Sequence, residues 1–116
     1  MKYFILLAAD PSAEPQPGTA EFDQMMDEYY SLEERLKGVA TVLSGEALHP
    51  ADTSRSVKKR GGKVETMDGP FAETREQLGG YYLIEAPDME TALAFAAEIP
   101  AARYGTVEVR PVLSYE

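Results

Sequence analysis

The chain predicts an α+β domain of ferredoxin-like, split βαβ type, with an antiparallel sheet, two helices on one face and an inserted β-hairpin. Three observations predict it. Short apolar runs and helical stripes follow one another in the order β-α-β, then β-α-β. Gly61 and Gly62 sit between two β-compatible runs and mark a hairpin outside that order. A length of 116 residues fits one core-bearing domain, so residues 1–116 are read as a single unit.

Lys2 to Ala9 is apolar on both faces, which suits a central strand. Asp10 to Gly18 contains Pro11, Pro15, Pro17 and Gly18 and reads as a loop, neither strand nor helix. Thr19 is the expected N-cap of the first helix, with Glu21 near its positive end. Phe22, Met25, Met26, Tyr29, Leu32 and Leu36 recur at intervals of three and four. They place one apolar stripe on a helix running to about Lys37, where Gly38 stops it. We read that stripe as core packing. Val39 to Leu48 is the second strand, ended by His49-Pro50, and Gly45 within it permits a bulge or a close approach.

Ser54 to Arg60 and Lys63 to Met67 are the hairpin strands, which puts a basic cluster at an exposed tip. Thr74-Arg75-Glu76-Gln77 matches a capping box, held to one helical turn by Gly79-Gly80. Tyr81 to Ala86 is the next strand. Asp88 caps a second helix with Met89, Ala92, Leu93, Ala96 and Ile99 on its apolar face, and Pro100 ends it. Thr106 to Leu113 is the last strand. Pro111 cannot donate to a ladder, so this strand belongs at an edge or a bulge. The sheet face away from the helices also carries apolar residues, and a second copy is its simplest cover. We therefore expect a homodimer.

Composition removes several function classes. The net charge of −9 repels phosphate backbones, which makes nucleic acid an unlikely partner. Charge is uneven: Arg55, Lys58, Lys59, Arg60 and Lys63 cluster, as do Glu21, Asp23, Asp27, Glu28, Glu33 and Glu34. The plain reading is two solvated faces, and the sharper one is complementarity across a subunit contact. Without cysteine there is no thiol catalysis, disulfide frame or cysteine-held cluster, and a reducing cytoplasm is the expected compartment. The apolar opening run is too short for a membrane span or a signal peptide. No phosphate-binding loop is present, and no cofactor is expected.

Candidate chemistry gathers around Asp68-Gly69-Pro70-Phe71. Gly69 and Pro70 make a constrained turn, and Phe71 is expected as a core plug that can also line a ligand. Asp68 and Glu73 flank the turn; they either cap backbone amides or serve as acid and base. Arg110 either pairs with an internal carboxylate such as Glu46 or Asp68, or binds an anionic ligand alongside Glu46. His49 is the only histidine, a strand-end residue or a general base. One histidine cannot build a three-histidine zinc site within a chain, and no metal is expected.

The run Asp68-Gly69-Pro70-Phe71-Ala72-Glu73-Thr74-Arg75-Glu76-Gln77-Leu78-Gly79-Gly80-Tyr81-Tyr82 resembles the signature of the YCII-related family, in its DGPF branch. Met1 to Leu7, Leu43 to Leu48, Glu98 to Ala102 and Val107 to Val112 resemble other segments of that family. The resemblance implies a dimeric α/β barrel, in which two ferredoxin-like units pair their sheets. It implies a cavity between sheet and helices or at the dimer seam, and a role near extracytoplasmic-function sigma factors. The superfamily spans monooxygenases, lyases, isomerases and proteins without a known reaction, so it leaves the activity open. Typical members carry a proposed dyad, a histidine in the first helix and an aspartate before the proline that ends the last helix. Here Glu28 or Tyr29, and Ile99, stand at those places. Two readings follow: a dimer binding a small molecule, or a small enzyme doing acid–base chemistry of lyase, isomerase or dehalogenase type with Asp68, Glu73, His49 or Arg110.

Overall fold

The computed structural model describes residues 1–114. Its strands are β1 (Lys2–Ala9), β2 (Thr41–Ala47), β3 (Arg55–Arg60), β4 (Lys63–Asp68), β5 (Gln77–Glu85) and β6 (Gly105–Pro111). Its helices are α1 (Ala20–Arg35), α2 (Met89–Ala97) and the short α3 (Ala101–Tyr104). Four strands form an antiparallel sheet in the order β2-β5-β1-β6, and β3 and β4 pair separately as a hairpin. This is the ferredoxin-like order, with the hairpin inserted between β2 and β5. Central β1 and edge β6 lie where the patterning puts them.

The two faces of β1 divide the molecule. Tyr3, Ile5, Leu7 and Ala9 are buried, while Phe4, Leu6 and Ala8 between them are half-buried. That alternation points every second residue at the helices. Met25 and Leu32 on α1, with Ala92 and Phe95 on α2, close over Ile5 and Ile84. Both long helices start as their caps dictate. The Thr19 hydroxyl accepts from the Phe22 amide at 3.2 Å, and the Asp88 carboxylate accepts from the Thr91 amide at 2.8 Å.

Several local expectations are corrected. α1 ends at Arg35, and the Val39 and Ala40 amides close the following turn on the Leu36 carbonyl; Gly38 does not take a left-handed cap. Pro11–Ala13 makes a single 3-10 turn inside the expected loop, capped by Asp10. Thr74-Arg75-Glu76-Gln77 forms no helix. Gln77 pairs with Ala9, so ladder formation with β1 overrides the local capping signal. The second helix ends at Ala97, short of Ile99, and Pro100 stands instead at the N-cap of α3. Gly105 then brings β6 against β1 so closely that a Cβ there would lie 2.1 Å from the Ala8 carbonyl oxygen.

The hairpin turn is as the paired glycines predict. Gly61 and Gly62 both have positive φ, 56° and 79°, joining Arg60 to its register partner Lys63. Phe71 is the largest departure. It is 92% exposed and plugs nothing within the described chain.

Candidate functional site

Each end of the sheet carries a depression. At one end Met1, the Lys37–Thr41 turn and Glu85 to Pro87 border a shallow hollow of about 380 Å³, open to solvent. Its charged groups already face each other, the N-terminal amine lying 3.8 Å from Glu85. At the other end a smaller, more enclosed cavity of about 70 Å³ is lined by Leu7, Ala8, Ala9, Glu14, Tyr29, Gln77, Gly79 and Ala101.

The second cavity exists because the ladder is interrupted. The β1–β5 register shifts between Leu7 and Ala8, so Leu7 pairs with Gly80 and Ala8 with Leu78. Gly79 is left without a β1 partner, and its carbonyl accepts from the Leu48 amide on the other side at 2.9 Å. A bulge of this kind kinks the strand locally and disrupts pairing. The loop before α1 brings Glu14 to the opening, α1 brings Tyr29, and the start of α3 brings Ala101.

An ion pair fixes two of those walls. Arg103 on α3 donates to both carboxylate oxygens of Glu28 on α1, at 2.7 and 3.1 Å. The two-pronged geometry sets the angle between the helices as well as their distance. It also holds the Glu28 carboxyl below its ordinary range, through the Arg103 hydrogen bonds, and raises the Arg103 guanidinium. Tyr29, next along α1, lines the cavity together with Ala101 of α3.

The electrostatics distinguish this cavity from the open hollow. Burial, then the nearby Tyr82 and Glu14, push the Tyr29 hydroxyl up to about 12. Tyr29 is therefore a neutral hydrogen-bond donor throughout the physiological range. Burial also raises the Glu14 carboxyl. Tyr82, held edge-on to Phe95 at 5.9 Å between ring centroids, has its hydroxyl raised by burial and then by Glu33. A shifted carboxyl and a shifted phenol thus share one small apolar space, with the Gln77 amide beside them.

The residues singled out in the sequence lie elsewhere. Glu46 on β2 and Arg110 on β6 face the open side of the sheet from opposite edges. Two intervening strands separate them by roughly 14 Å. Arg110 pairs with Glu108, its neighbour on the same face, rather than with Glu46 or Asp68. Asp68 meets Arg55 at 3.3 Å at the hairpin root and is exposed. Its turn is fastened there by the Gly69 amide to the Ser54 carbonyl, and by the Ser56 hydroxyl to the Gly69 carbonyl, both at 2.8 Å. Glu73 and His49 are exposed, Glu73 in the segment between β4 and β5 and His49 just past β2. None of these five, nor Phe71, lines the enclosed cavity.

Tyr29 had a signal in the sequence, as a position of the α1 apolar stripe and as one of the two residues, Glu28 or Tyr29, read at the place of the family's helix histidine. Ile99, at the aspartate position, is fully buried in the core and brings no acid. Glu14 had no periodicity to mark it. Among the described residues no group of three or more histidine, cysteine or carboxylate side chains is placed to hold a metal. No helix among them is long and apolar enough to cross a membrane.

A four-stranded antiparallel sheet with helices on one face, and a cavity between them at a bulge, defines a ferredoxin-like α+β protein. The YCII-related domain profile matches residues 1–116, and the chain belongs to that family. An uncharacterized protein of Rhizobium meliloti (strain 1021) is 30% identical over 118 aligned positions, covering 100% of this chain and 95% of that one. A stretch of 71 residues, 61% of the chain, is 34% identical to a tRNA uridine(34) hydroxylase of Corynebacterium glutamicum, of which it spans 22%. Among solved structures, 5-chloro-2-hydroxyhydroquinone dehydrochlorinase (TftG) of Burkholderia phenoliruptrix AC1100, in complex with 2,5-dihydroxybenzoquinone, shares the fold. Its TM-score is 0.51 at 15% identity, with 97% of this chain and 94% of that chain covered.

Proposed function

We propose that this protein is a homodimer that binds a small polar organic molecule in the Glu14–Tyr29 cavity. One observation carries the reading: a carboxyl and a phenol, both shifted upward by burial, line the same enclosed space. Perturbed titratable groups in a cleft are the usual physical mark of a ligand or reaction site. Tyr29 offers a neutral O–H to a ligand carbonyl or oxyanion, and Glu14 accepts from a ligand hydroxyl or amine. The apolar walls exclude water from both bonds and so strengthen them.

The homodimer part rests on the open face of the sheet. Phe4, Leu6, Tyr81 and Leu83 share that face half-buried, with Phe4 and Tyr81 rings 5.1 Å apart. Two sheets packed face to face would enclose Glu46 and Arg110 as further ligand contacts. Asp68, Glu73, His49 and Phe71 then remain site candidates only where a partner approaches the hairpin root. No residue at either place points to a sigma factor.

A second reading is supported by the raised Glu14 carboxyl. A base of higher pKa beside a neutral donor suits proton abstraction from a molecule whose oxygen Tyr29 holds. The fold neighbour is a dehydrochlorinase complexed with a hydroxylated quinone, and small oxygenated aromatics are the natural first probes.

Native mass spectrometry of protein purified from cells tests the binding reading, with a thermal-shift screen of small phenols and carboxylic acids beside it. A bound mass or a stabilising ligand is expected for the wild type and is lost in Tyr29→Phe and Glu14→Gln. Equal binding by all three proteins would place the ligand elsewhere.

A further inference from the structure

The enclosed cavity carries a single charge, and among the described residues that line it none balances that charge. Glu14 is the one ionised side chain on its wall, and no lining residue is basic. Burial raises the Glu14 carboxyl, with no cation offsetting it. The Arg103 guanidinium acts on the Tyr29 hydroxyl from α3, but both carboxylate oxygens of Glu28 already engage it. Behind Tyr29 stands Tyr82, which feels Glu33. The chain as a whole carries a net charge of −9. The field around the cavity therefore attracts cations and repels anions. A desolvated carboxylate without a counter-charge is costly, and a ligand that brings a positive charge removes that cost.

Size and hydrogen bonding narrow the class. The cavity of about 70 Å³ holds roughly two water-sized groups, whereas a cavity that admits benzene measures about 150 Å³. It takes the end of a ligand rather than a ring. A primary ammonium has three N–H donors and no acceptor. The wall offers matching acceptors in the Glu14 carboxylate, the Tyr29 hydroxyl oxygen and the Gln77 side-chain carbonyl. A carboxylate or phosphate end would instead meet Glu14 with like charge. We infer that the group seated in this cavity is a primary ammonium, the end of a small aliphatic amine, with Glu14 as its counter-ion and the Tyr29 and Gln77 oxygens as its further acceptors. The inference rests on the binding reading above and adds the charge and class of the ligand.

The test is an NMR titration of the full chain with methylammonium chloride, at ionic strength held constant with sodium chloride. The amides of Gly79 and Ala101, on the cavity wall, report binding there. So small a probe binds weakly, and saturable shifts are expected in the millimolar range. Potassium chloride brings the charge without N–H donors, and sodium acetate brings the opposite charge; neither is expected to saturate those amides. Glu14→Gln is expected to weaken methylammonium about tenfold or more while leaving the rest of the spectrum in place. No saturable shift with methylammonium, an equal response to potassium, or a Glu14→Gln chain that titrates like the wild type overturns the ammonium assignment. Acetate saturating these amides in place of methylammonium overturns that assignment and leaves the cavity a binding site. A ligand retained in native mass spectrometry that Tyr29→Phe and Glu14→Gln hold as tightly as the wild type overturns the cavity reading with it.

Discussion

Two of the chain's four phenylalanines have opposite fates, and each represents a region. Phe95 is fully buried where α2 meets the sheet, while Phe71, in the most distinctive segment of the sequence, stands almost free in solvent. The distinctive region builds a rigid turn and a hairpin with little packing of its own. The undistinguished region, where β1, α1 and α3 converge, encloses a cavity and shifts the protonation of its side chains. The difference teaches that a recognisable motif and a place where burial perturbs titratable groups need not coincide. A signature can persist because backbone geometry and an interface require it. A site can instead be assembled by topology from residues far apart in the chain.

The same substitution in both regions breaks the comparison most directly. Phe95→Ala removes a core side chain and leaves a cavity, and is expected to cost about 3–5 kcal/mol in chemical denaturation. Phe71→Ala, read on dilute protein where association is negligible, is expected to change stability by about 0.5 kcal/mol or less. A large loss at Phe71 under those conditions would mean that it packs within its own chain after all.

Most of the architecture was legible because it is periodic. The stripe from Phe22 to Leu36, the apolar run of β1 and the paired glycines each encode an element locally, and each element is there. Pro111 announced an edge strand, and β6 is one. The capping box at Thr74 misled because Gln77 is claimed by Ala9, a residue distant in sequence. Phe71 misled because hydrophobicity alone argues for burial, whereas the irregular segment between β4 and β5 holds it in solvent. Tyr29 was half legible, as a helix-stripe position and one of two residues, with Glu28, read at the place of the family's histidine. Glu14 was not legible at all, because a proline-rich loop has no period and only the fold brings it to the cavity.

The second expected effect concerns the cavity itself. Tyr29→Phe keeps the ring and removes one half-buried hydroxyl from the cavity wall. The expected cost is about 1 kcal/mol in stability. Binding of any ligand retained by the wild type is expected to fall about tenfold, as measured by calorimetry, because the hydroxyl is the neutral donor of the site. Unchanged affinity would turn Tyr29 into a packing residue and erase the contrast between the regions.

The smallest effect is also the most diagnostic. Burial raises the Glu14 carboxyl from its usual value of 4.5. Below the unfolded pKa both states are protonated, and Glu14 contributes no difference. As pH rises towards the folded pKa, the unfolded chain loses this proton before the folded one does. Stability therefore falls through that window and stays lower above it. Glu14→Gln removes the penalty. It is expected to stabilise the protein at neutral pH by about 0.5 kcal/mol or less, since solvent screens a partly exposed group. The gain should vanish below about pH 4, where wild type and variant both carry a neutral side chain. Thermal melts across pH read this directly. A stabilising substitution that also abolishes ligand binding would mark Glu14 as a residue kept at some cost to the fold.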